Sequence, residues 1–155
     1  MADHNLFTRL DERFTTAPSR PAFRSKTGGV LLTFGELREQ VARYANALTV
    51  LGVQPGDRVT VQIEKSLANV LLYLATLKCG AVFQPLNTGY TAAETDYFVS
   101  DARPKLVVCD PARQREMREC GDRYQVTSVV NLDAHGNGSL SELAGRMDSR
   151  HDTVA

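Results

Sequence analysis

The sequence predicts a layered α/β protein, with a parallel sheet flanked by helices and a small N-terminal β-hairpin. Three observations carry this. From Arg58 onward, short apolar runs rich in β-branched residues alternate with helical patterns, at a spacing that suits parallel strands joined by crossovers. Threonine–glutamate pairs three residues apart, Thr33/Glu36 and Thr91/Glu94, have the form of capping boxes at helix starts. The chain has 155 residues, 43% of them hydrophobic and 23% charged, which suits one core of ordinary composition rather than two.

The elements follow in order. Leu6, Phe7, Leu10 and Phe14 recur at helical spacing, and "APSRP" ends that helix. "PAFRS" and "VLLTF", separated by Lys26-Thr27-Gly28-Gly29, form the expected hairpin. After the Thr33 cap, Leu37, Val41, Tyr44, Leu48 and Leu51 make one apolar stripe, and Gly52 suits the left-handed stop. "QPGD" turns the chain into "RVTVQI", an alternating strand. Ser66 caps a helix over 67–79 that is apolar nearly all round and must be covered on most sides.

Gly80 stops that helix, and "AVFQPL" reads as a buried strand closed by Pro85. Thr91 opens a helix to about Ala102, which Pro104 ends. "KLVVC" reads as a buried strand, followed by Asp110 as N-cap with Pro111 at the first helical position. A polar helix to about Cys120 and Gly121, the strand "QVTSVVN", the loop "DAHGNG" and a short helix opened by Ser139 and Glu142 complete the unit. Residues 1–148 therefore read as one α/β unit, and 149–155 as a polar tail without a core pattern, expected to lead into further sequence.

Charge and cysteine content narrow the setting. Eighteen basic side chains balance 18 acidic ones, which gives no electrostatic pull toward nucleic acid or an anionic membrane surface. The longest apolar run, "LANVLLYLATLKCGAVF", contains Lys78 and Gly80 and falls short of a clean membrane span. Cys79, Cys109 and Cys120 form no close pair, so a reducing compartment is expected: the cytoplasm, or an organelle matrix if a presequence has been removed.

Ligands of parallel sheets gather beyond the carboxyl ends of the strands. That rule selects three loops: Glu64-Lys65-Ser66, Asn87 to Tyr90, and Asp110-Pro111. Lys65, Asn87, Thr88 and Tyr90 are the candidate substrate-binding residues. No G-x-x-x-x-G-K-[ST] loop, G-x-G-x-x-G turn or G-x-S-x-G elbow is present. His4, His135 and His151 lack metal-ligand spacing, so no metal ligand and no catalytic residue is assigned. Asp110 after a buried strand is also the placement used by phospho-accepting receiver domains, but the acidic pair and the late lysine such domains need are not in register. A freestanding α/β binding or signalling module remains the alternative outside catalysis.

Residues 64–111, through Glu64-Lys65-Ser66, "LYLATL", "PLNTGYT", Glu94, "DYF", "DARPKLVV" and Cys109-Asp110-Pro111, resemble the amino-terminal region of acyl-CoA synthetases in the adenylate-forming superfamily. Within that superfamily the wording is most similar to malonyl-CoA synthetases. Phe83-Gln84 before Pro85 and Thr95 after Glu94 depart from the pattern. The resemblance implies a two-step reaction in which Mg2+-bound ATP and a small carboxylate such as malonate give an acyl-adenylate and pyrophosphate, after which CoA displaces AMP. It also implies that the phosphate loop, the ribose-binding acid and the lysine of a mobile carboxy-terminal domain lie beyond Ala155. The 155-residue chain is then expected to be an inactive amino-terminal portion, without a tightly bound cofactor and prone to self-associate through apolar surface.

Overall fold

Two apolar strands form the middle of the protein, and everything else is arranged to cover them. In the computed structural model, which describes residues 5–154, the elements are α1 (Leu6–Thr16), β1 (Pro21–Arg24), β2 (Val30–Thr33), α2 (Phe34–Val50), β3 (Arg58–Gln62), α3 (Leu67–Lys78), β4 (Val82–Pro85), α4 (Ala92–Ala102), β5 (Leu106–Cys109), a 3-10 turn (Pro111–Arg113), α5 (Gln114–Arg123), β6 (Ser128–Asn131) and α6 (Ser139–Gly145). His4 lies outside the described residues. The sheet runs β4-β3-β5-β6 with every pairing parallel, while β1 and β2 form the separate antiparallel hairpin.

Side-chain alternation divides the core. Val59, Val61, Leu106 and Val108 face the layer built from α2, α3 and α6, where Leu48, Leu72 and Leu140 are fully buried. Val107 and Cys109 face α5 and meet Met117 in a smaller cluster. Each aliphatic side chain so enclosed contributes about 1.5–3 kcal/mol relative to exposure. Both capping boxes form. The backbone N–H groups of Thr33 and Thr91 donate to Glu36 and Glu94 at 2.8 Å, and the glutamate N–H groups return to the threonine hydroxyls at 3.3 Å. These bonds hold both carboxyls below the usual glutamate range.

Three expectations need correction. The strand at 82–85 is not buried: it pairs only with β3, lies at the sheet edge, and leaves Val82 49% exposed. Pro85, which has no N–H to donate outward, suits that edge. Next to it in β3, Thr60 and Gln62 are as buried as the valines. On α3, Leu67, Val70 and Leu77 are only half-buried and Tyr73 is exposed, whereas polar Thr76 and Lys78 are buried. Finally, the helix expected to end at about Cys120 and Gly121 continues to Arg123, with Gly121 inside α5. A Cβ there would meet Val129 Cγ2 at 3.0 Å, so its hydrogen side chain lets α5 close on β6.

The stretch after α6 lacks a core pattern yet is held along its length. Arg43 donates to the Met147 carbonyl, and Asn46 Nδ2 to those of Asp148 and Arg150. Asn5 Nδ2 bridges the Leu77 and Val154 carbonyls, Lys78 Nζ reaches Thr153 Oγ1, and Val154 N–H donates to Lys78 O. Polar side chains on α2 and the α1 cap thus capture backbone carbonyls that burial would otherwise penalise, while Lys78 on α3 takes a hydroxyl. Among the described residues, no helix is long and apolar enough to cross a membrane.

Two outcomes follow. Gly121→Val should destabilise the chain by about 1–3 kcal/mol in urea titrations, since the branched side chain overfills the α5–β6 contact. Burial, aided by the nearby Lys78 ammonium, holds His151 below the ordinary histidine range. The unfolded chain therefore takes up that proton more readily. The neutral form's contribution is whole above the unfolded value of about 6.5 and is lost as pH falls through it toward the folded value. Replacing His151 by Asn should flatten the stability-versus-pH curve between about pH 7.5 and about pH 5.5, and an unchanged slope would refute this assignment.

Candidate functional site

Parallel strands deliver their carboxyl ends to one edge, and there β3, β4 and β5 end at Gln62, Pro85 and Cys109. The loops beyond them enclose a cleft of about 180 Å³ lined by Gln62, Glu64, Thr88, Asp110 and Arg113. All three loops selected from the sequence contribute a wall. The floor comes from within the sheet.

Gln62 is 1% exposed. Its Nε2 donates to the Asn87 carbonyl at 2.7 Å and approaches Thr95 Oγ1 at 3.4 Å. A carbonyl can only accept, so this contact turns the amide nitrogen toward Asn87 and leaves Oε1 buried without a partner. An unsatisfied acceptor of this kind costs about 1–3 kcal/mol. It calls for a donor, from water or from a ligand in the cleft.

The walls are built by capping. Asp110 Oδ1 accepts the Ala112 N–H at 2.9 Å, which starts the 3-10 turn and fixes the carboxylate at the cleft mouth. One turn later Arg113 forks onto Glu116, with Nη2 to Oε1 at 2.6 Å, and reaches the Tyr90 carbonyl at 3.5 Å through Nη1. The same guanidinium thus ties the 87–90 loop to the loop after β5. Beside Asp110, burial pushes the Cys109 thiol up to about 12. Burial likewise raises Cys79 and Cys120 to about 11, so none of these cysteines is a nucleophile at neutral pH.

Of the sequence-selected residues, Thr88 lines the cleft. Asn87 shapes the loop, accepting from Gln62 through its carbonyl and from the Gly89 N–H through Oδ1. Tyr90 stacks on Phe98 with ring centroids 5.1 Å apart. Lys65 is exposed and contributes no wall; its neighbour Glu64 does, while Ser66 caps α3 by accepting from Asn69 N–H. The lining residues that pattern reading passed over are Gln62 and Arg113. A polar residue at the last position of a buried strand, and a cation one turn beyond an Asp-Pro cap, were the available signals. Among the described residues, no group of three or more His, Cys, Asp or Glu side chains is placed to hold a metal. Glu64 and Asp110 alone do not make a Mg2+ site.

This arrangement can be set beside known proteins. The profile of the AMP-binding enzyme family matches residues 10–153. The chain belongs to the AMP-binding enzyme family. Among curated relatives in this company, the acetyl-coenzyme A synthetase of Chlorobaculum tepidum is 37% identical over 123 residues, covering 79% of this chain and 19% of that protein. A probable CoA ligase, CCL9, of Humulus lupulus is 30% identical over 115 residues, covering 74% and 22%. Among solved structures, apo MatB from Rhodopseudomonas palustris superposes with a TM-score of 0.92 at 38% identity, over 99% of this chain and 30% of that one. The chain spans about a fifth of the length of these curated relatives. In this AMP-binding enzyme chain, the hairpin and the parallel sheet are accordingly features of the amino-terminal part of the family fold.

The Gln62 contact makes a specific prediction. Gln62→Leu removes both the orphan acceptor and the tether on Asn87, so global stability should change by less than about 1–3 kcal/mol while hydrogen exchange at the Tyr90 N–H, which bonds Asn87 O, speeds up. Unaltered exchange at Tyr90 would show that the tether does not hold the loop.

Proposed function

We propose that this chain forms the amino-terminal part of an ATP-dependent acid–CoA ligase acting on malonate or a closely related small dicarboxylate. The observation that carries the reading is the family match over residues 10–153, within which "PLNTGYT" forms one rim of the cleft at the strand ends. The acid is suggested by the resemblance of residues 64–111 to malonyl-CoA synthetases and by the 38% identity to MatB. The benzoate CoA ligase from Burkholderia xenovorans, at 23% identity, shares the fold and gives no support for an aryl substrate.

In this reading malonate attacks the α-phosphorus of ATP through a carboxylate oxygen, and pyrophosphate leaves. The CoA thiolate then attacks the acyl carbon, and AMP departs with the bonding pair. The gain is a change of leaving group: an oxide that cannot leave becomes a phosphate ester that can. Cations around the transferring phosphates, Mg2+ among them, stabilise the charge that develops. ATP, Mg2+ and CoA are cofactors of the whole enzyme. The chain's own contribution is a wall, with Thr88 on the cleft toward substrate or cofactor, Asn87 and Tyr90 shaping the loop that bears it, Lys65 exposed on the neighbouring loop, and none of them in the chemistry. The cytoplasm is the proposed location. A ligase for another small acyl acid is the second reading, favoured by the 37% identity to an acetyl-coenzyme A synthetase.

Pyrophosphate release by the full-length protein, measured with malonate, methylmalonate, acetate and benzoate, tests both. Malonate should be turned over best. Preference for acetate would transfer the assignment to the second reading, and activity confined to benzoate would end both. The purified 155-residue chain should form no adenylate; its doing so would overturn the division of labour proposed here.

A further inference from the structure

At the opposite edge of the sheet from the cleft stands a buried cation. Because α3 descends from the carboxyl end of β3 toward the amino end of β4, its last residue, Lys78, lies at the amino ends of the strands. Lys78 is 6% exposed. Its ammonium donates to Thr153 Oγ1 at 2.9 Å and stands 4.7 Å from the centroid of the Phe7 ring. Neither partner carries a charge.

Among the described residues no carboxylate forms an ion pair with it. The nearest candidate on α1, Asp11, is taken by Arg38, which donates through Nε and Nη2 at 2.6 and 3.0 Å. A buried ammonium left in this state is costly, and natural proteins pair such charges. Burial accordingly depresses the Lys78 pKa.

Beside it opens a cavity of about 500 Å³, whose wall includes Lys78, Arg38, Arg150 and His151. Asp11 also lines the cavity but is paired with Arg38, and Glu39, Asp152 and Arg150 are exposed, where water screens them, while Lys78 is enclosed. The charges of the lining balance in number, yet among the described residues the enclosed Lys78 has no ion-pair partner. We propose that this cavity binds a small oxyanion, carrying phosphate or carboxylate, seated against the Lys78 ammonium and flanked by Arg38 and the 150–151 segment. The anion supplies the missing counter-charge. Through the Lys78–Thr153 bond it also fastens the carboxyl-terminal stretch to α3. This site is separate from the cleft and does not depend on which acid the enzyme activates.

The test is an NMR titration of the 155-residue chain at constant ionic strength and pH, once with inorganic phosphate and once with malonate, following the Lys78 ammonium and the Thr153 and His151 amides. The expected result is a saturable shift at these three with at least one anion, at a dissociation constant on the order of millimolar. The arm that saturates identifies phosphate or carboxylate as the source. Lys78→Met should weaken binding at least about tenfold, and Lys26→Met, in the exposed hairpin turn, should not. Should Lys78→Met fail to fold, Lys78→Arg replaces it and should retain binding. Shifts that rise linearly in both arms, a Lys78→Met titration matching the parent, or loss of binding in a folded Lys78→Arg would overturn the proposal.

Discussion

Gln62 occupies the last position of a central strand that is covered on both faces, and a carboxamide there has to find partners within the fold. Those within reach are the Asn87 carbonyl and the Thr95 hydroxyl. Meeting the first brings the loop after β4 over the sheet; meeting the second brings the first turns of α4 against β3. The cleft is the space left when this polar closure is made. Its floor is the half of the amide that the closure leaves over.

The same strand carries a second polar closure. Thr60, fully buried two residues earlier, donates to Gln84 Oε1 on β4. Gln84 and Thr95 thus each supply a partner to a buried polar residue of β3, a strand that carries Thr60 and Gln62 on its second face. A hydrophobic residue at either place would leave a buried hydroxyl or amide short of a partner.

What was legible in the sequence was local. Capping boxes need only residues three apart, and the α2 stripe only its own periodicity, so both are readable without the rest of the chain. The parallel order and the three rim loops followed from the alternation of elements. Sheet position did not: Val82 and Val107 look alike as valines in short apolar runs, yet one is at an edge and the other is enclosed, because strand order is decided by which helices cover which face. Gln62 and Arg113 entered the cleft through contacts 25 and 23 residues away in the chain, with Asn87 and Tyr90.

The two ends of the sheet are organised by different physics, and this explains why one was foreseen and the other was not. At the carboxyl ends, loops pass straight into helices, and Ser66, Thr91 and Asp110 satisfy the first amides with their own side chains. Such caps leave a signature of residue type and spacing. At the amino ends the chain is held by donors such as Arg43, Asn46 and Asn5 that take backbone carbonyls, and a carbonyl is present at every residue. Nothing in the identity of Met147, Arg150 or Val154 marks them as acceptors. Lys78 is buried by that same covering, and the stretch that conceals its ammonium gives it a hydroxyl from Thr153 but no ion pair, Asp152 standing exposed at the cavity wall. A cation enclosed by segments chosen for their backbone rather than their side chains receives solvation without neutralisation, and that imbalance gives the amino-terminal edge a chemistry of its own.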